Sequence, residues 1–219
     1  MTRLRLAACQ INTVVGDLEG NAERVLAALE NAGASGADLA VFPELTVTGY
    51  PPEDLLSRPA FVAENLAVFD RIAESTRSCV AVVGFVDVDP EGNLINAAGV
   101  CADGAVLGRY GKRLLPNYGV FDEQRWFTPG SEPLGTHTVG GVPVGVTVCE
   151  DIWFPGGPAV AQAEAGARLI VNLNASPYSQ GRRAERLAML AERVTETGCV
   201  IAYVNQIGGQ DELVFDGAS

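Results

Sequence analysis

Short Val-, Ala- and Leu-rich runs alternate with stretches of helical spacing at both ends of this 219-residue sequence, and a run of adjacent strands lies between them. Residues 3–9 alternate toward a buried strand, and NAERVLAALEN (21–31) carries apolar positions at helical spacing before GASG stops it. DLAVFPE (38–44) is a short buried strand that ends on a charge. A turn at PPEDLL leads to a helix over 60–77, then to a strand over 79–88. Residues 94–112 form a hairpin across Asp103–Gly104, and a loop runs on to 132. GVPVGVTVCEDIW supplies a further buried strand, followed by a helix (GGPAVAQAEAGA), a strand (RLIVNLNAS), an amphipathic helix (RRAERLAMLAERVTETG) and a strand (CVIAYVNQIG). This order predicts an α/β protein whose sheets are covered by helices. The length suits one domain, 1–219, with a large core and no linker or repeat. ELVFDGAS reads as a strand stopped on a turn with no partner after it, so the domain is expected to be C-terminally incomplete.

The net charge of −12 argues against nucleic acid and anionic membrane as partners, because both select a positive surface. No apolar run is long enough to span a bilayer, and MTRLRLAACQ is a strand pattern rather than a signal peptide. The cytoplasm is the expected location. The five cysteines are widely spaced and none lies in a CxxC pair, so no disulfide framework, zinc site or other metal is expected. Cys9, Cys79, Cys101 and Cys199 sit inside apolar runs as small buried hydrophobes. The single histidine, His137, lies in GTHTVGG and is read as structural or exposed. If the chain uses a nucleophile, its proton carrier is therefore expected to be another group.

One basic position stands apart. Lys112, in RYGKRLLPNYGVFDE, is the only lysine beside fourteen arginines. Lysine can lose its proton when buried; arginine cannot. Ligands in α/β sheets gather at the C-terminal ends of strands. Glu44 ends VFPE, Lys112 ends RYGK, and VTVCED carries Cys149, Glu150 and Asp151, while NLNAS adds Asn174 and Ser176. A capping carboxylate, a surface ammonium and a core thiol would explain each alone; their joint placement points to chemistry. A carboxylate can take the thiol proton and return it to a leaving amine. An ammonium can lower the thiol pKa and hold an oxyanion together with a backbone N–H after the cysteine. A compact ammonium can sit beside thiolate and carboxylate together, where a guanidinium fork would clamp the carboxylate.

VFPELTVTGYPPEDLL, YGKRLLPNYGVFDE, VCEDIWFP and NASPY together resemble the carbon–nitrogen hydrolase (nitrilase) superfamily. More narrowly, GYPPEDLL, LPNYGVFDE, CEDIW and GGQDELVFDGAS resemble the glutaminase domains of glutamine-dependent NAD synthetases. The resemblance runs from residue 4 to the end of the chain. It implies a four-layer α-β-β-α sandwich, with Glu44 as general base, Lys112 as oxyanion stabiliser, Cys149 as nucleophile and Glu123 as a supporting carboxylate beside Asp122. It implies contacts to L-glutamine from Tyr118, Glu150, Ser176 and Arg182, where Arg182 pairs with the α-carboxylate and Arg183 is the competitor for that role. It further implies self-association, more sandwich elements after Ser219, and a separate synthetase domain that takes ATP, Mg and deamido-NAD. No SGGxDS-like segment occurs here, so no cofactor is expected in this chain. A stand-alone amidase or nitrilase is the alternative activity, and a binding domain without catalysis is a third.

Overall fold

The computed structural model describes residues 3–219, so positions 1 and 2 of the expected domain lie outside the described residues. Strands β1 (Leu6–Ala8), β2 (Leu39–Val41), β3 (Val80–Val88), β4 (Leu94–Ala102) and β5 (Ala105–Gly111) form one sheet in that order. β1, β2 and β3 run parallel, while β3, β4 and β5 are antiparallel neighbours. A second sheet has the order β6 (His137–Val139), β7 (Val142–Val148), β8 (Leu169–Asn174), β9 (Val200–Asn205), with β7, β8 and β9 parallel. Helices α1 (Leu18–Ala34) and α2 (Pro59–Glu74) belong with the first sheet, and α3 (Pro158–Glu164) and α4 (Arg182–Thr197) with the second.

The continuous apolar runs are explained by burial on both faces. In the first sheet Ala40, Phe42, Ala81, Val83 and Phe85 pack against Val25, Phe69 and Ile72 of the helices. Their neighbours Leu39, Val41 and Val82 face the other way and meet Val146, Val171 and Leu173 of the second sheet. Ile170 turns outward onto Ala159 and Met189 of α3 and α4. The result is the four-layer α-β-β-α sandwich expected from the sequence. Among the described residues no helix is long and apolar enough to cross a membrane.

Local signals set the boundaries. Asp17 caps α1 by accepting from the Gly20 N–H at 3.0 Å, which starts the helix earlier than the apolar spacing alone suggests. The Asp103–Gly104 turn has both residues at positive φ (52° and 82°), the mirror-image turn that fits the twist of a tight hairpin. One expectation is corrected at the C-terminus. The run CVIAYVNQIG is not a single strand: β9 ends at Asn205, and β10 (Ile207–Gln210) pairs with β11 (Leu213–Asp216) in a separate hairpin. ELVFDGAS therefore does have a partner, but it precedes it. Gly208, at φ 117°, gives the chain the turn it needs beside Asn12, where a Cβ would collide with the side-chain amide. The cysteines are free. Cys9, Cys101 and Cys199 are buried as expected, whereas Cys79 is only half-buried.

Candidate active site

The C-terminal ends of β2, β5, β7 and β8 lie at one end of the sandwich, and the polar residues that follow them converge there. Pro43 cannot extend the β2 ladder, and Leu45 takes a left-handed φ of 46°, so the chain turns with the fully buried Glu44 at its corner. Gly84 of β3 makes this possible, since a Cβ there would run into the Pro43 carbonyl and the Leu45 nitrogen. Lys112 leaves β5 with its backbone held from both sides: its N–H donates to the Asn96 carbonyl at 2.8 Å and its carbonyl accepts from Gly130 at 2.9 Å. Its side chain is fully buried. The ammonium donates to Glu44 Oε1 at 2.7 Å and to both Glu123 oxygens at 2.8 and 2.7 Å. Glu123 opens a short 3₁₀ turn (Glu123–Arg125) inside the stretch read as loop, and also accepts from the Tyr50 hydroxyl at 3.0 Å. Glu44 is fixed further by the Asn96 amide at 2.8 Å and by the Ala175 N–H, just past β8, at 3.0 Å.

Cys149 follows β7 on a tight turn with φ 43°, a conformation that costs a side-chain-bearing residue on the order of 1–3 kcal/mol unless its surroundings enforce it. Those surroundings are visible: the Asn172 amide reaches the Cys149 carbonyl at 3.5 Å and the Thr147 hydroxyl at 3.0 Å. The thiol lies within electrostatic reach of Glu44, Lys112, Glu123 and Glu150.

Burial and the neighbouring charges together set the protonation of the site. Burial, reinforced by Glu44, drives the Cys149 pKa well above the ordinary thiol value, and the opposing pull of Lys112 does not overcome it. The proton that the carboxylate is expected to take is therefore on the thiol at rest, and Lys112 acts in the expected direction by lowering the thiol pKa. Desolvation alone would favour neutral Lys112, but Glu123 and Glu44 reverse the effect and hold its pKa well above the usual lysine value. Lys112 therefore stays charged, the form that holding an oxyanion requires. Burial raises Glu123 to about 7 despite Lys112, with Glu44 adding to the rise. One cation is shared by two carboxylates, an arrangement that suits a small ammonium better than a planar fork.

The remaining residues form an outer ring. Tyr118 donates its hydroxyl to Glu150 Oε1 at 2.7 Å. It separates two grooves, one of about 720 Å³ bordered by Leu114, Gln124, Glu150 and Phe154, the other of about 310 Å³ bordered by Phe121, Tyr178, Arg182 and Leu213. Arg182, the first residue of α4, lies over the Trp153 ring at 5.4 Å and pairs with Glu185 at 3.1 Å. Arg183 points instead toward a different groove, with Leu187 and Ala202. Ser176 is buried, its N–H on Asn205 Oδ1 at 2.9 Å. His137 sits half-buried on the edge strand β6 against Gly108, with its pKa lowered by burial, and is not part of this constellation. A cleft of about 850 Å³ lies at the opposite end of the strands, where Leu4, Leu6, Val142, Leu169 and Val200 line it with apolar surface.

Several residues of the site were not assigned from sequence. Asn96 and Tyr50 steady the two carboxylates, and Arg186 donates to the Ser176 carbonyl at 2.8 Å and pairs with Asp216 at 2.7 Å. A signal for Arg186 existed: it falls on the same helical stripe as the buried Met189 and Arg193, where an arginine needs a partner.

Comparisons with known proteins agree with this architecture. The model of the carbon-nitrogen hydrolase family matches residues 5–219. A glutamine-dependent NAD(+) synthetase of Xylella fastidiosa is 50% identical over 221 residues, covering 99% of this chain and 40% of the relative. The chain spans about 40% of the length of such curated relatives. Among solved structures, the glutamine-dependent NAD+ synthetase from Acinetobacter baumannii, in complex with ADP, has a TM-score of 0.93 at 38% identity, covering 98% of this chain and 40% of that one. A variant of the amidase from Nesterenkonia sp. AN1, in complex with acrylamide, has a TM-score of 0.84 at 26% identity, covering 100% and 84%.

Proposed function

The chain belongs to the carbon–nitrogen hydrolase family, and we propose that residues 1–219 are glutaminase-domain sequence of a glutamine-hydrolysing NAD synthase. The observation that carries this reading is the buried Lys112 ammonium held between Glu44 and Glu123 beside the strained Cys149 turn. The likeness to NAD synthetases over nearly the whole chain supports the choice of glutamine.

In this reading Cys149 Sγ attacks the carboxamide carbon of L-glutamine. Because the thiol is protonated at rest, its proton passes to Glu44 as the S–C bond forms. Charge that develops on the amide oxygen is met by Lys112 and by the backbone N–H after Cys149. Collapse of the tetrahedral intermediate breaks the C–N bond, and Glu44 returns the proton to the leaving nitrogen, so ammonia departs and a γ-glutamyl thioester remains. Water then adds to the thioester and gives a proton to Glu44; the C–S bond breaks, Glu44 returns that proton to the sulfur, and glutamate is released. Glu123 keeps Lys112 in place, with its own oxygens fixed by Tyr50.

Substrate recognition falls to Tyr118, Glu150, Ser176 and Arg182. Arg182 pairs with the α-carboxylate and the Tyr118–Glu150 pair takes the α-ammonium. Arg182→Ala is expected to raise KM for glutamine by about 10- to 100-fold, as loss of a charge-assisted bond of roughly 1.5–3 kcal/mol requires. Steady-state kinetics check this; an unchanged KM removes Arg182 from the role. Glu44→Gln is expected to stop acylation, lowering kcat by at least 10²-fold, while glutamine still binds. Calorimetric titration beside a turnover assay separates the two effects, and normal turnover would remove Glu44 as base.

The ammonia is destined for ATP-dependent amidation of deamido-NAD on a synthetase domain of the parent chain, and ATP and Mg belong to that domain rather than to the residues described above. Self-association and a cytoplasmic setting go with the same reading. The amidase likeness favours a second reading, a stand-alone amidase on another small amide. Substrate profiling separates them, because a glutaminase needs the α-carboxylate.

A further inference from the structure

We propose that Asp151 is a positioning residue that fixes the Lys112 strand end against the Cys149 turn, an inference whose kinetic arm rests on the glutaminase reading above. Lys112 follows a strand of the first sheet and Cys149 a strand of the second, so neither ladder sets the distance between them. The backbone of Lys112 is bonded to Asn96 and Gly130, on the side of the first sheet. The Asp151 carboxylate spans the gap. Its Oδ1 accepts from the N–H groups of Arg113 and Leu114 at 3.0 and 2.9 Å. Its Oδ2 accepts from the Tyr110 hydroxyl at 2.7 Å and the Val148 N–H at 3.1 Å. Three of these donors flank Lys112 in the chain, and the fourth immediately precedes Cys149.

Asp151 is fully buried, and four donors converge on its two oxygens. Three are backbone N–H groups, of the part-buried Arg113 and Leu114 and of the buried Val148, and each loses this acceptor when the carboxylate is changed. An ionised carboxylate suits this task because both oxygens only accept, each with room for two donors. Asparagine has the same outline but turns one oxygen into an NH₂ group. Whichever way it is oriented, its NH₂ group then faces at least one backbone N–H, either those of Arg113 and Leu114 or that of Val148, even if the Tyr110 hydroxyl turns to accept. The strand end at Lys112 or the turn at Cys149 must shift, and a displacement near 1 Å is enough to lower a rate about 10²-fold.

The test uses Asp151→Asn in the 219-residue chain, at a temperature where circular dichroism shows the variant folded. We expect kcat for glutamine to fall about 10²-fold with KM nearly unchanged. We also expect alkylation of Cys149 by iodoacetamide at pH 8, located by peptide mapping, to slow several-fold, because a displaced Lys112 no longer favours the thiolate. A role in stability alone would loosen the site and leave the alkylation as fast or faster. Tyr110→Phe removes one donor and leaves the carboxylate and the backbone intact; it is expected to fold and to shift both readouts in the same direction by smaller factors. A folded Asp151→Asn variant with wild-type kcat and undiminished alkylation overturns the proposal. Should that variant not fold, the same result in Tyr110→Phe overturns it. Absence of glutamine hydrolysis in the wild-type chain would count against the glutaminase reading, and the alkylation arm, which needs no substrate, still decides the role of Asp151.

Discussion

Replacing Cys149 by alanine is expected to abolish release of ammonia from L-glutamine, a loss on the order of 10⁶ in kcat, as for other nucleophiles whose removal leaves only binding and oxyanion stabilisation. The physical reason lies in the division of labour at the site. Glu44 and Lys112 are bonded to each other and to fixed partners, so neither can replace the sulfur as an attacking atom. Stability should change little, by about 1 kcal/mol, because alanine loses only the small sulfur group and takes up the same left-handed turn at the same cost. Glutamine should still bind, since the proposed recognition residues Tyr118, Glu150, Ser176 and Arg182 are untouched. An ammonia-release assay on the purified variant, alongside calorimetric titration with glutamine, checks both halves.

Lys112→Arg is expected to be nearly as damaging although it keeps the charge. The ammonium is fully enclosed and divides its hydrogen bonds between Glu44 and Glu123. A guanidinium is larger, and forcing it into this space should cost about 1–3 kcal/mol of stability by overpacking. It would also tend to bind one carboxylate through two parallel bonds, which draws that group out of its present position. If the carboxylate is Glu44, the base is clamped; if it is Glu123, the oxyanion donor is pulled away from Cys149. Either displacement should lower kcat by roughly 10²–10³, the usual cost of a lost oxyanion donor. Thermal unfolding and turnover measured together test the two effects separately. Full activity in the arginine variant would remove the account of why a chain with fourteen arginines has a lysine here.

The layers of the fold were legible because hydrophobic pattern and burial coincide. The DLAVF run is apolar on both faces since Leu39 and Val41 meet the other sheet while Ala40 and Phe42 meet the helices. Glu44, Lys112 and Cys149 could be singled out because Lys112 and Cys149 follow directly on a strand and Glu44 comes three residues after one, where side chains escape the ladder and face the open end of the sheets. What could not be read was anything that depends on distant partners. Asp151 stood in plain view in VTVCED, but its four donors come from residues as far as 41 positions away. Tyr50 and Glu123 are separated by 73 positions, and Asn96 and Glu44 by 52. For a related reason the sequence reveals the pull of Lys112 on the thiol but not the burial and the carboxylates that outweigh it. The break after Asn205 was missed because Gln206, Ile207 and Gly208 were read as a continuing strand instead of the start of a hairpin.

The most direct test of Cys149 as nucleophile is to quench the wild-type chain during turnover with L-glutamine at low pH and map the peptides by mass spectrometry. A mass increase of one glutamyl group on the peptide bearing Cys149, absent in Cys149→Ala, is the expected result. Steady hydrolysis with no adduct there, or an adduct on a peptide bearing Cys9, Cys79, Cys101 or Cys199, would contradict it.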